Sequence, residues 1–576
     1  MNISSLRFIA MFGSTLIAIA ILMPWFEVFA SPSFLQESLM TKKIWYWLLL
    51  ISLLVTASGL GMRRFLFSKS KPLTTTSAQQ TTINEHAKRE YVLEVIGLGI
   101  TLDKYRQGKL WDILQKGGAY TSIREQDIQK YDWNAADRSG IAGGRGGDTL
   151  ENGAFGIPMY FGIPVFNAEP PIFNSRMVDK PDAPLSGLAG GYSSSGLHWH
   201  LFIVGPRRFG EHPDRILDDV FAFFDANPDV PYIVLNSEDS IPTRDLYRSD
   251  GAVPLVRNGH YIPEMPDASA LFVLARRERI DKVRPFAYDD APPEDSVDDL
   301  NTYGVARRLY LAYDKLMEDV PQPGLETDPT ARTQRQPLIS EWLPIAAQFA
   351  QRSDIRGTGS FSIFDKLNPK TYFPPKDWQP TPWFPLPFNR EQLAQLDRLP
   401  TLGFIHRPTF VRFSDKQGVP LTRRDQREHA LQVGWQQALD KLPEALRPAA
   451  PARLIAATGN NTQQLVALHK TITQHAQAGG PELDSNNPAQ WIDTDRRLGN
   501  TGAATLFVQM GIGVMGSYRD GGVSAIVNLR NEQEASIVFI SPPSDEQRKT
   551  QKHPQGGDVF AHRGRPAIDP DNYPEN

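Results

Sequence analysis

The chain has 576 residues, 41 % of them hydrophobic, which is enough to bury a sizeable core and too many for wholesale disorder. Lys and Arg number 61 against 65 Asp and Glu, a formal net charge of -4, so the basic excess of a nucleic-acid binder is missing. The absence of cysteine excludes disulfides, thiolate catalysis, cysteine-ligated zinc and iron–sulfur clusters together.

In chain order, Phe8 to Phe26 runs without a charge, and ~19 residues at ~1.5 Å each approach the ~30 Å hydrocarbon layer. Ile44 to Leu60 is a second apolar run, opened by Trp45, Tyr46 and Trp47, residues that favour the headgroup boundary. The pattern predicts a two-helix membrane hairpin over 1–67; Val28-Phe29-Ala30 before Ser31 leaves a cleaved signal peptide as the competing reading. Arg63, Arg64, Lys69 and Lys71 follow the second span and hold that end in the cytoplasm, while Lys42 and Lys43 in the short loop oppose this. The expected location is the inner membrane with a cytoplasmic C-terminal body, the alternative being a cytoplasmic or periplasmic soluble form. Residues 68–90, rich in Ser, Thr and Gln, read as a flexible tether.

The body starts near Tyr91. YVLEVIGLGI predicts a strand, followed by a helix with Tyr105, Leu110, Trp111 and Leu114 at near-helical spacing. Gly140 to Gly147 reads as a glycine-rich loop, and an aromatic, Pro-rich stretch runs to Gly196. His198 to Gly205 predicts a strand. Pro213 then opens a helix with Ile216, Val220 and Phe224 on one face, and Tyr232 to Leu235 forms a parallel strand after it. Ala270 to Ala275 adds a strand, and Val305, Leu309, Tyr313 and Leu316 mark a helix. Proline-rich segments at 321–337 and 374–387 read as linkers.

Beyond them, Leu402 to Phe413 precedes Thr422, spaced from Asp425 as in a capping box, and a helix presenting Leu431, Trp435, Ala438 and Leu442. Leu402-Gly403 and Trp435 echo Leu98-Gly99 and Trp111, a faint sign of duplication. Ala504 to Met510, Ser524 to Leu529 and Ser536 to Ile540 read as strands, and 542–576 as a polar tail. The expected fold class is α/β, with two tandem related domains at 91–320 and 400–541 joined by a connector at 321–399, behind the membrane hairpin.

No motif carries intact chemistry. Gly511 to Gly516 fits G-x-G-x-x-G, but Asp520-Gly521-Gly522 and a new strand follow where a dinucleotide site needs a helix, so it reads as a glycine-rich strand or bulge. The glycines at 143–147 lack the Gly-Lys-Ser/Thr ending of a phosphate loop. Gly191 to Gly196 has serine at 195 where a nucleophile elbow needs glycine. His198 and His200 can share a strand face, yet no third metal ligand can be named. Glu238 and Asp239 follow one strand and Arg207 and Arg208 its neighbour, so all four are placed at the carboxyl edge, where open sheets hold ligands. They can bind an ion or do acid–base work, or merely pair with each other in water.

The run Glu94 to Trp111 (EVIGLGITLDKYRQGKLW), behind an N-terminal membrane hairpin, resembles the proteobacterial type VI secretion lipase-adapter family. The resemblance covers about 91 to 542. It implies a non-enzymatic adapter, with no cofactor or catalytic residue, that binds a phospholipase effector and brings it to the spike protein of the secretion machine. The alternative is a membrane-anchored hydrolase of an envelope or phospholipid substrate, with Glu238 and Asp239 as acid and base, Arg207 and Arg208 on an anionic group, and His198 or His200 assisting.

Overall fold

The computed structural model describes residues 91–102, 105–118, 135–158, 162–173, 188–190, 200–208, 212–255, 266–289, 305–319, 339–349, 377–381 and 383–563. The apolar run after Tyr91 becomes β1 (Val92–Leu102), in the middle of a 13-stranded sheet. The other strands of its segment are β2 (Tyr105–Arg106), β3 (Ile163–Ala168), β4 (Leu188–Gly190), β5 (Leu201–Arg208), β6 (Tyr232–Asp239) and β7 (Ala268–Ala275). The later segment supplies β8 (Gly403–His406), β9 (Thr409–Arg412), β10 (Arg453–Ala457), β11 (Trp491–Asp493), β12 (Ser524–Asn528) and β13 (Glu534–Ser541). Among them run α1 (Gly108–Leu114), α2 (Ala135–Gly153), α3 (Ile216–Ala226), α4 (Ile241–Tyr247), α5 (Val305–Asp319), α6 (Ile339–Phe349) and α7 (Arg390–Arg398). The chain continues through α8 (Arg424–Leu439), α9 (Thr462–Gln477), α10 (Thr494–Arg497), α11 (Thr505–Asp520) and α12 (Asp545–Thr550).

The sheet order is β11-β10-β12-β13-β8-β1-β7-β6-β3-β5-β4, with β2 on β1 and β9 on β13. β1 and β8 pair antiparallel, from Val92↔His406 to Val95↔Gly403, and form the seam between the segments. Outward from that seam one side reads β1-β7-β6-β3-β5 and the other β8-β13-β12-β10-β11. Pairing directions agree step for step: antiparallel, antiparallel, parallel, parallel. β7 and β13 are buried at every position, as expected of strands covered on both faces.

The α/β expectation holds, and several local expectations are corrected. The run read as a strand from Ala504 and a glycine bulge at 511–516 is one helix, α11, buried from Thr505 to Tyr518. A helix buried all round has no apolar stripe, so its period is invisible in the sequence. Its glycines make room for neighbours: a Cβ on Gly511 would stand 2.7 Å from Ile100 Cδ1, and one on Gly516 2.9 Å from Trp111 Cη2. Residues 140–147, read as a loop, lie within α2. There β1 supplies the space, since a Cβ on Gly99 would sit 1.9 Å from the Thr149 carbonyl oxygen. Thr422 does not cap α8, whose N-cap is Arg423 without a side-chain bond. β5 and β6 run parallel as expected, but β3 lies between them.

The proline-rich connector is partly packed. Trp378, Trp383, Phe384 and Phe388 are buried, Trp383 Nε1 donates to Asn227 Oδ1 at 3.0 Å, and α7 opens with an Asn389–Gln392 capping box. The tail from 542 also packs in part: Phe560 is buried against Tyr518, and its carbonyl accepts from Gly108 N at 3.1 Å. Residues 321–338, 350–376 and 382 of the connector lie outside the described residues.

The hairpin expected over 1–67 and the tether at 68–90 also lie outside the described residues. Among the described residues no helix is long and apolar enough to cross a membrane, so the expected inner-membrane location is corrected: among them no anchor is indicated. The apolar α11 has 16 residues, about 24 Å at ~1.5 Å each, short of the ~30 Å hydrocarbon layer.

Candidate functional site

The strand expected to end at Leu235 continues as β6 through Asp239, so Glu238 and Asp239 belong to the strand and project to opposite faces. Glu238 accepts from Ser240 Oγ at 2.9 Å. Burial pushes its carboxyl up to about 7, and Glu169, Asp267 and Asp239 nearby push the same way. Asp239 pairs with Arg244 and accepts from Ala503 N at 2.6 Å, in the turn Gly502–Ala504 that leads into α11. Burial also raises its carboxyl, against the opposing pull of Arg244.

Two further carboxylates join them that the sequence reading missed. Glu169 follows β3 and accepts from Tyr247 Oη at 2.7 Å; Asp267 precedes β7, accepts from Ile241 N at 2.7 Å and pairs with buried Arg145. The signal for Glu169 was hidden because β3 carries Pro164 and Asn167, residue types rare in strands. Each of the four carboxylates has donors from its own chain, which makes this group an internal network.

Arg207 and Arg208 are the last residues of β5, in register with Asn167 and Ala168 of β3. They do not stand on a strand beside β6, and their side chains lie outside the described residues. His200 places Nε2 2.8 Å from the Ile157 carbonyl oxygen and stacks on Phe202, while His198 and the serines at 193–195 lie outside the described residues. Among the described residues no group of three or more His, Asp or Glu is suited to a metal ion.

A serine–histidine pair that no sequence spacing could reveal joins His406 Nε2 to Ser541 Oγ at 2.9 Å across β8 and β13. Burial lowers the imidazole to about 4, and Nδ1 has no partner among the described residues. A nucleophile's base needs an orienting group and a path to substrate; this pair is 2 % and 4 % exposed and has no orienting group among the described residues.

Where the carboxyl ends of β6 and β12 approach each other, a cleft of about 670 Å³ opens between the two segments. Asp214, just before α3, accepts from Asn528 Nδ2 at 2.9 Å and Ser536 Oγ at 2.6 Å; burial lifts its carboxyl to about 6 although both bonds favour the charge. Arg215 forms an ion pair with Glu534 beside it. These links and Asp239 with Ala503 tie the segments together along the cleft floor.

Residues 91–258 match the family model described as type VI lipase adapter protein Tla3, N-terminal, and residues 402–542 match that of its C-terminal part. Among solved structures, the ishigamide ketosynthase/chain length factor is 9 % identical, over 79 % of this chain and 100 % of that one, at TM-score 0.35. The ketosynthase from module 6 of the bacillaene synthase of Bacillus subtilis 168 is 8 % identical over 79 % and 72 %, at 0.36. Cerulenin-bound OleA of Xanthomonas campestris is 10 % identical over 78 % and 97 %, at 0.31. TM-scores this low transfer nothing to the present chain.

Proposed function

The chain belongs to the type VI lipase adapter protein Tla3 family, and on that premise we propose that it is a non-enzymatic adapter that holds a lipase-type effector and presents it to the type VI secretion spike protein. The observation that carries the reading is that the two matched regions lie on both sides of the β1–β8 seam. The engagement of Glu238 and Asp239 by Ser240, Arg244 and Ala503 N supports it further, because an acid–base pair must face a substrate. Two related α/β units, within 91–320 and 400–541, are part of the same proposal.

Co-purification with the cognate lipase and spike tests it: both should be retained by the full chain, and retention of neither, with both partners folded, overturns it. Assay on phospholipids tests the enzymatic alternative. Hydrolysis by the wild type that Glu238→Gln abolishes would replace the adapter reading.

A further inference from the structure

The cleft between the segments is lined by charges that do not cancel. Arg244, Arg248 and Arg530 are the arginines along it, and each faces a carboxylate: Asp239, Asp245 and Asp495 in turn. Glu534 is matched in the same way by Arg215. Outside the lining, Asp218 on Arg215 and Arg412 near Glu534 add one charge of each sign. His212 sets Nδ1 3.1 Å from the Asn531 amide nitrogen, where the ring accepts and carries no charge. That leaves Asp214 and Glu532, which line the cleft without an ion pair among the described residues. Several of the pairs are partly open to solvent, yet an exchange of partners among them leaves the same two negative charges unmatched.

Asp214 is the deeper of the two, 8 % exposed, while Glu532 is exposed. Oδ2 of Asp214 takes the bonds from Asn528 and Ser536, and Oδ1 takes none from the described residues. A buried carboxylate without a counter-charge is costly, and a cation brought to its open oxygen offsets that cost. A bare metal ion is a poor complement, because among the described residues no group of three or more His, Asp or Glu is suited to one. The apolar part of the lining favours an organic ion instead. Pro170, Pro171 and Leu255 can cover a methylene stem, and Phe173, 63 % exposed, offers a ring face to the charge. The volume of about 670 Å³ lies within the ~300–1,000 Å³ of small-ligand sites.

We infer that the cleft binds an organic cation, a guanidinium or ammonium group on a short apolar stem, with Asp214 receiving the charge, Glu532 adding attraction and Phe173 with the two prolines covering the stem. The inference goes beyond the adapter reading and stands independently of it.

The test is ligand-observed NMR titration of the full-length chain with n-butylguanidinium, its uncharged isostere n-butylurea and the anion pentanoate. The guanidinium should bind about tenfold or more tightly than either of the others. Asp214→Asn should weaken it about tenfold, Glu532→Gln and Phe173→Ala each about two- to fivefold, and Val433→Ala, on α8, not at all. Glu532 and Phe173 are exposed, so their variants keep the fold and decide the matter even where Asp214→Asn does not fold. Equal binding of n-butylurea or pentanoate overturns the inference, and so does full affinity in both Glu532→Gln and Phe173→Ala. Displacement of the bound probe by the cognate lipase gives a basic side chain as the natural source, displacement by spermidine gives a free polyamine, and displacement by neither overturns the inference. A lipase that the chain does not capture, with the guanidinium still bound, counts against the adapter reading alone.

Discussion

The segments on the two sides of the β1–β8 seam share a strand order and a sequence of pairing directions, yet their helices reach the sheet by different means. On the N-terminal side the backbone of α2 lies directly on β1: a Cβ on Gly97 would stand 2.1 Å from the Gly153 carbonyl oxygen, and one on Gly99 1.9 Å from that of Thr149. On the C-terminal side α11 meets side-chain tips, Ile526 Cδ1 lying 2.7 Å and Ile540 Cδ1 3.2 Å from a Cβ placed on Gly513. Backbone cannot move aside; an isoleucine tip can change rotamer. One topology can therefore rest on a rigid contact in one half and an adjustable one in the other.

The sharpest way to break that contrast is Gly99→Ala. With a carbonyl oxygen in the way, it should destabilise by about 4–5 kcal/mol, the scale reserved for strain and overpacking that cannot relax. A loss under ~1 kcal/mol in denaturant titration would show that α2 can lift from β1.

Trp111→Ala and Trp435→Ala come next, each expected to cost about 3–5 kcal/mol. Both indoles are buried, Trp111 beneath α11 and Trp435 between His475 and Phe539. Because one sheet joins the segments, fluorescence and far-UV dichroism should report a single shared transition for each variant. Separate transitions would mean that the seam does not couple the two halves.

Glu238 gives a pH signature on the N-terminal side. Its carboxyl titrates near 4.5 unfolded and about 7 folded, so the folded state holds the proton more tightly between these values. The stabilisation from the neutral form is full below about pH 4.5 and is lost as pH rises through about 7. Glu238→Gln should match wild type near pH 4 and exceed it by ~1–3 kcal/mol at pH 8. An equal difference at both pH values would show that the effect is packing and not ionisation.

Gly513→Ala is the smallest expected effect, within about 1 kcal/mol, because the gain in helix propensity offsets the shift of an isoleucine tip. A loss as large as that of Gly99→Ala would erase the distinction between the two halves.

Much of the strand content was legible because it followed local rules. β1, β7, β12 and β13 are apolar β-rich runs, and α3, α5 and α8 carry apolar residues at helical spacing. β3 was not legible, since Pro164 and Asn167 mask it, and neither was Glu169 behind it. Of the candidate site, Glu238 and Asp239 are the last two residues of β6. Their ties to Ser240, Arg244 and Ala503 N were out of reach, the last spanning 264 positions. The pairing of His406 with Ser541 was hidden for the same reason.

The sequence by itself determined the α/β class, the amphipathic helices and the apolar strands, because each is written in the period of its own side chains. Only the tertiary structure decided that the glycine runs within 140–147 and 511–516 are helical, that β3 separates β5 from β6, and that β6 and β12 end at a common cleft. A glycine has no side chain to signal its partner; its conformation follows from what packs against it, at 511–516 β1, α1 and the tips of β12 and β13.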